Sequence, residues 1–183
     1  NMWDLSIRFG VPMTELLRVN NMTMDSLLSV GQRITVPVHK IGIKNTPGDK
    51  YGEYLDWWTE AQYVFTIGKV ATVTDFQTGR QFQVKRTIGA SHADCEPLTA
   101  KDAAIMKEIW GGTYSCTERA VIVEVDGRRL AASMSSMPHD IMYITGNNFN
   151  GHFDIHFANS TRHNDGKVTE DHQRQIKIAA GLL

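Results

Sequence analysis

The sequence is thin in the features that settle a protein's class at a glance. It has only two cysteines in 183 residues, Cys95 and Cys116. That is too few for the disulfide framework of a small secreted scaffold, and it leaves open one bridge, two buried thiols, or one ligand beside a bystander. Neither sign of charge is in excess: 19 Lys and Arg stand against 20 Asp and Glu, a formal net charge of −1. Without a basic footprint, neither nucleic acid nor a membrane surface is expected as a partner. No apolar run approaches the roughly 18 residues needed to span a bilayer, and no charged-then-apolar leader opens the chain. Internal repeats and low-complexity tracts are missing as well. The length leaves room for a small module plus a domain of about 130 residues with its own core.

What is present falls into three parts. Residues 1–38 read as two short helices and a strand. Asn1 caps a helix carrying Trp3, Leu5, Ile7 and Phe9 that Gly10 closes, and Thr14 opens a second with Leu16, Leu17 and Val19. The run Ile34-Thr35-Val36 is a short strand ended by Pro37. Residues 39–56, with three glycines, a proline and little periodicity, read as a linker. Residues 57–183 form the candidate catalytic domain, of α+β class with antiparallel hairpins and flanking helices. Its hairpins are Val70–Phe76 with Arg80–Arg86, and Ala120–Val125 with Arg128–Met134 about Asp126-Gly127. Helices follow the Thr99/Asp102 capping pair and Thr169, and Trp57-Trp58 with Tyr63–Phe65 read as core.

The chemistry concentrates in Gly151-His152-Phe153-Asp154-Ile155-His156-Phe157. On a strand, His152, Asp154 and His156 share one face and Phe153, Ile155 and Phe157 the other, so a polar stripe fronts an apolar back. A solvated sheet face or a hydrogen-bonded core pair is the plain alternative. Three titratable groups on one stripe favour a metal or acid/base site. His92 and Asp94, from the loop Gly89–Pro97, with His156 make an imidazole and carboxylate set suited to Zn²⁺, with the fourth position left for water. Asp154 and His152 are then the candidates for general base and for the group that stabilises an oxyanion. Glu96, His139 and His163 are substitutes, and His172, on a solvated helix, is assigned no role.

Two resemblances sharpen these expectations. Trp3–Val11, Glu15–Asn21 and Val30–Pro37 resemble the LysM domain, a cell-wall carbohydrate module. LysM domains begin with a strand and a Gly-Asp-Thr-like turn, so the resemblance implies that this chain starts after both and that a removed export signal stays open. It further implies binding of N-acetylglucosamine-containing glycans of peptidoglycan, with Met2 and Trp3 on one wall of a groove and Asn21, Ser29 and Gly31 on the other. The second domain is similar to zinc-dependent cell-wall amidases and peptidases of the lysostaphin and D,D-peptidase type. Ser91-His92-Ala93-Asp94 and His152-Phe153-Asp154-Ile155-His156 carry that likeness, with a shorter His-to-Asp gap and Asp154 where a Glu or His is usual. The implied protein is a wall-bound or spore-coat hydrolase outside the cell. Alternatives are a cysteine enzyme like the L,D-transpeptidases, using Cys95, or an inactive wall-binding protein.

Overall fold

The computed structural model describes residues 1–183 and divides into two compact units, Asn1–Ile41 and Gly42–Leu183.

The first unit is built on two helices. In α1 (Met2–Phe9) the Asn1 side chain accepts from the Asp4 amide and Gly10 closes the helix in the left-handed conformation. In α2 (Met13–Val19) the cap is Pro12 and not the expected Thr14 start; proline has no N–H to leave unpaired there, and its fixed φ suits the residue that leads into the helix. Met2, Val11, Leu16 and Leu17 form the core, joined by Leu5, Met13, Met22, Leu28, Ile34 and Val36. The expected strand over Ile34–Val36 does not form. Its side chains still pack on the core, but no second strand lies beside it, and a lone strand has no ladder. The Asn20 side chain stands in for one, accepting from Thr35 N at 2.7 Å and donating to Thr35 O at 2.8 Å.

The second unit is a closed six-stranded antiparallel barrel of order β1-β2-β3-β6-β5-β4, an architecture the hairpins alone do not announce. The strands are β1 Val70–Asp75, β2 Gln81–Ile88, β3 Ala93–Pro97, β4 Arg119–Val125, β5 Arg128–Met134 and β6 Phe153–His156. Cross-strand partners share a face, so the register defines the interior: Val73 pairs with Phe82 and Val123, Val123 with Leu130, Cys95 with Arg86 and Phe153, and Ile155 with Met134. The same rule sends Asp94, Asp154, His156 and Ser133 outward. Helix α4 (Ala100–Ile109), with its Thr99/Asp102 capping box, packs on β2 and β3.

The outer wall is not left to water. Helix α5 (Glu170–Ala180) lays Ile176, Ala179 and Ala180 over Ala120, Ile122 and Ala131. Burying such apolar side chains is worth about 1.5–3 kcal/mol for each large one, which holds the helix against β4 and β5. One end of the barrel is sealed by Trp57, fully buried in a π-helical turn (Trp57–Ala61) that leads into α3 (Gln62–Val64). The indole stacks on Phe157 and lies under the Arg86 guanidinium, whose own nitrogens donate to Phe65 O and Gly89 O. The stretch expected as a linker behaves differently along its length. From Gly42 it belongs to the second unit: the Lys44 amide donates to the Glu53 carboxylate, Glu53 exchanges backbone hydrogen bonds with Arg129 and Ala131, and Leu55 is fully buried. Its few apolar residues are spaced too irregularly to show as a pattern, yet they fall where the barrel needs cover.

Candidate functional site

The site sits on the outer face of the β3/β6 pair. Asp94 and Asp154 stand directly opposite each other in that ladder. Like charges facing across a pair of strands are destabilising unless each is compensated. Here each carboxylate has its own ring of partners, and the two rings differ.

Asp94 is surrounded by imidazoles. His92 Nε2 lies 3.0 Å from Oδ1, His163 Nε2 3.2 Å from Oδ2, and His152 Nε2 3.8 Å from Oδ1. Backbone carbonyls set the tautomers. His92 Nδ1 faces Thr161 O at 2.8 Å, His152 Nδ1 faces Ile141 O at 2.9 Å, and His139 Nδ1 faces Met137 O at 3.0 Å. A carbonyl can only accept, so each Nδ1 carries the proton and the neutral ring presents a bare Nε2. His92 Nε2 and His152 Nε2 are buried and make no aligned hydrogen bond, although a carboxylate is close. Donors that converge on a common point without pointing at one another are arranged as ligands are. Neighbouring corners of a tetrahedron with zinc-type bonds lie roughly 3.3 Å apart, which the three separations bracket. Burial pulls the His92 imidazole down, but the adjacent Asp94 carboxylate prevails and holds it above the ordinary value. Asp94 is pushed up by burial and brought below the usual carboxylate range by His92 and the other imidazoles.

Asp154 is held by hydrogen-bond donors. Its Oδ1 accepts from the Ser135 hydroxyl at 2.8 Å, and its Oδ2 lies 3.0 Å from His156 Nε2 and 3.4 Å from His172 Nε2. His172 Nδ1 in turn meets Ser133 Oγ at 2.8 Å. Against the cost of burial, His156 and His172 bring the Asp154 carboxyl well below its ordinary range. The His156 imidazole is lowered as well, but by burial, which takes it to about 4 and outweighs the pull of Asp154. It is therefore neutral at physiological pH, with Nε2–H donated to Asp154 and a buried, unpartnered Nδ1. The rings of His92, His156 and His172 form a column, with centroids 4.4 and 3.9 Å apart, that joins the two carboxylates.

Local backbone makes these approaches feasible at two glycines. Gly89, at φ +104°, lies where a Cβ would come within 2.3 Å of His92 O and 2.7 Å of Asp94 N. Gly151, at φ +126°, lies where a Cβ would come within 2.4 Å of His139 O. His139 and His152 then exchange both backbone hydrogen bonds, each 2.9 Å long. The buried Glu96 ties the same loop to β3, accepting from Tyr143 N and Ile144 N.

All five second-domain residues expected in the site, His92, Asp94, His152, Asp154 and His156, come together, but in different company from that expected. The ligand atoms that lie within 4.8 Å of one another belong to His92, Asp94 and His163, to His92, Asp154 and His156, and to Asp94, His139 and His152. The imidazoles of His92 and His156 do meet. They meet as stacked rings inclined by 19°, so their in-plane lone pairs run alongside each other instead of converging with Asp94. His152 faces Asp94 and not the Asp154 pair. His172, expected on a solvated surface, is buried against Asp154. Its neighbours Glu170, Asp171 and Arg174 in sequence mask it, and only the apolar phase of Ile176 and Ala179 indicates that position 172 lies on the inward side of the helix. Cys95 is fully buried on the inward face of β3, where burial pushes its thiol up, and Cys116 is exposed; both are free.

In the first unit, a cleft of about 250 Å³ is lined by Met2 and Trp3 on one side and by Thr23, Met24, Ser26 and Leu27 on the other. Of the expected glycan residues, Met2 and Trp3 line it. Asn21, Ser29 and Gly31 do not; Asn21 turns the chain at φ 53° and Gly31 stands in open space. The loop between them folds over the start of α1, which the residue spacing does not reveal.

Comparison with known proteins speaks to this first unit. Residues 1–37 match the profile of the LysM domain family. The amino-terminal module is thus a LysM domain, of the class that binds N-acetylglucosamine-containing glycans such as peptidoglycan. Neither a curated protein nor a solved structure matches the chain. No helix is long and apolar enough to cross a membrane.

Proposed function

We propose that the chain is a cell-wall hydrolase in which the LysM module holds a metal-dependent amidase or peptidase on peptidoglycan. The observation that carries this reading is the Asp94 carboxylate ringed by imidazole nitrogens, of which those of His92 and His152 have their opposite ring positions committed to backbone carbonyls. The donor set of nitrogen and oxygen suits zinc, and the buried unpartnered Nε2 of His92, grouped with Asp94 and His163, fits a cation between them. His92 and Asp94 would hold it, with His163 in the place first expected for His156. When bound, the ion would polarise an amide carbonyl and acidify a water.

The chain's own residues supply the proton handling. Ser135 and His172 keep Asp154 ionised and still, Asp154 fixes the His156 tautomer, and the bare Nδ1 of His156 would take a proton from an attacking water. Asp154 thus acts through His156. The cysteine alternative draws no support from geometry, because a nucleophilic thiol needs an adjacent base and access, and Cys95 faces the barrel interior. Tethering by the LysM cleft raises the effective concentration of the hydrolytic site on its polymer without any further contact.

The test is metal content by elemental analysis together with release of peptide ends from purified peptidoglycan. Zinc bound to the purified chain, activity abolished by a chelator and restored by Zn²⁺, and loss of activity in His92→Ala would support the reading. Hydrolysis that resists the chelator, or a chain that takes up no metal, would overturn it. Trp3→Ala should weaken co-sedimentation with insoluble peptidoglycan while leaving hydrolysis of soluble wall fragments unchanged.

A further inference from the structure

Asp94 has two carboxylate oxygens, and imidazoles lie against both. Oδ2 lies 3.2 Å from His163 Nε2, while Oδ1 lies between His92 and His152 and 3.4 Å from His163 Nε2. Asp94 accordingly belongs to two close-packed ligand groups, one with His92 and His163 and one with His139 and His152. Four imidazoles and a carboxylate overfill the three protein positions that a catalytic zinc uses. Resting on the reading that this cluster binds metal, we infer that Asp94 bridges two divalent cations: one held by His92 and His163, and a second held by His139 and His152.

Two independent features of the chain point to the second position. His139 and His152 each have Nδ1 against a backbone carbonyl, so both present Nε2, and that of the nine-tenths buried His152 has no hydrogen-bond partner. The backbone is shaped to bring them together: Gly151 removes the Cβ that would strike His139 O, and Asp140 sits in the left-handed region at φ 54°. A non-glycine residue held there is uncommon and carries a small strain. It leaves the Asp140 carboxylate 4.0 Å from His152 Nε2, at the rim of the second position. A carboxylate common to both ligand groups is the natural bridge at the roughly 3.5–4 Å spacing of two-metal hydrolases, where the pair clamps the attacking and leaving oxygens.

The inference is tested by counting ions on the full-length chain. Protein stripped by a chelator and desalted is titrated with Co²⁺, and metal per chain is measured after removal of the excess. Native protein should hold two ions per chain, His139→Ala one, and Asp94→Asn none at the same free concentration. Gly151→Ala deletes no ligand but displaces His139, and it should also fall from two ions to one. Circular dichroism melts verify that each variant is folded. A native chain that binds one ion and keeps it in His139→Ala overturns the paired site while leaving the single-metal hydrolase standing. One ion that is lost in His139→Ala overturns the pairing too. No ion at all overturns both.

Discussion

Asp94 and Asp154 are the same residue type, on adjacent strands, in register, on one face of the barrel wall. Their surroundings divide them. Asp94 is met by imidazoles whose protons are already spent on Thr161 O and Ile141 O, which leaves bare nitrogens around a negative charge. Asp154 is met by a hydroxyl and by ring N–H groups. The first arrangement is complete only with protons or a cation between the partners; the second is complete as it stands. A facing pair of carboxylates is thus resolved into a ligand and a positioning group by the donors each one meets.

Replacing each aspartate by the isosteric amide should break the comparison most sharply. Asp94→Asn should lose metal and with it all measurable hydrolysis, whereas Asp154→Asn should keep its metal and lose about 100-fold or more in kcat, the usual scale for general-base catalysis. Equal metal loss in both variants would show the two carboxylates to be interchangeable. His172→Ala comes next. Without the ring that steadies Asp154, activity should fall by about 10- to 100-fold with metal content unchanged, the range typical of residues that orient a functional group.

A pH experiment sharpens the same distinction in metal-free protein. The His156 imidazole sits at about 4 when folded, against an ordinary 6.5. As pH falls through 6.5 the unfolded chain takes up a proton that the folded chain refuses until about 4, so stability drops across that window by about 3 kcal/mol. His92, held above its ordinary value, works in the opposite sense: its contribution is present below 6.5 and is lost as pH rises through its folded value. Denaturant titrations from pH 7 to pH 4 should therefore show native protein losing stability on acidification relative to His156→Gln; parallel curves would refute the assignment. The smallest expected effect is chemical. Cys116 should react with a thiol reagent in the native state and Cys95 only after unfolding, and native-state labelling of Cys95 would reopen the cysteine mechanism.

Much of this was legible before any fold was known because it is local. Asn1 and Gly10 bracket α1, Thr99 and Asp102 make a capping box, and Asp126-Gly127 turns β4 into β5; each signal acts within four residues. The alternation of Phe153, Asp154, Ile155 and His156 likewise separates a chemical face from a packed one. Partners distant in the chain were not legible. His172 reaches Asp154 only because the apolar face of α5 packs on β4 and β5, and His139 reaches His152 only through a loop tied down by Glu96 and Gly151.

The amino-acid sequence by itself determined the LysM pattern, the helix ends, the hairpins and the choice of imidazole and carboxylate for the chemistry, since these follow from backbone sterics and side-chain alternation. The tertiary structure decided the closing of the barrel, the pairing of Asp94 with Asp154, and which histidine serves which carboxylate. Those depend on the register between strands about sixty residues apart, and a shift of one residue would send every one of these groups to the opposite face.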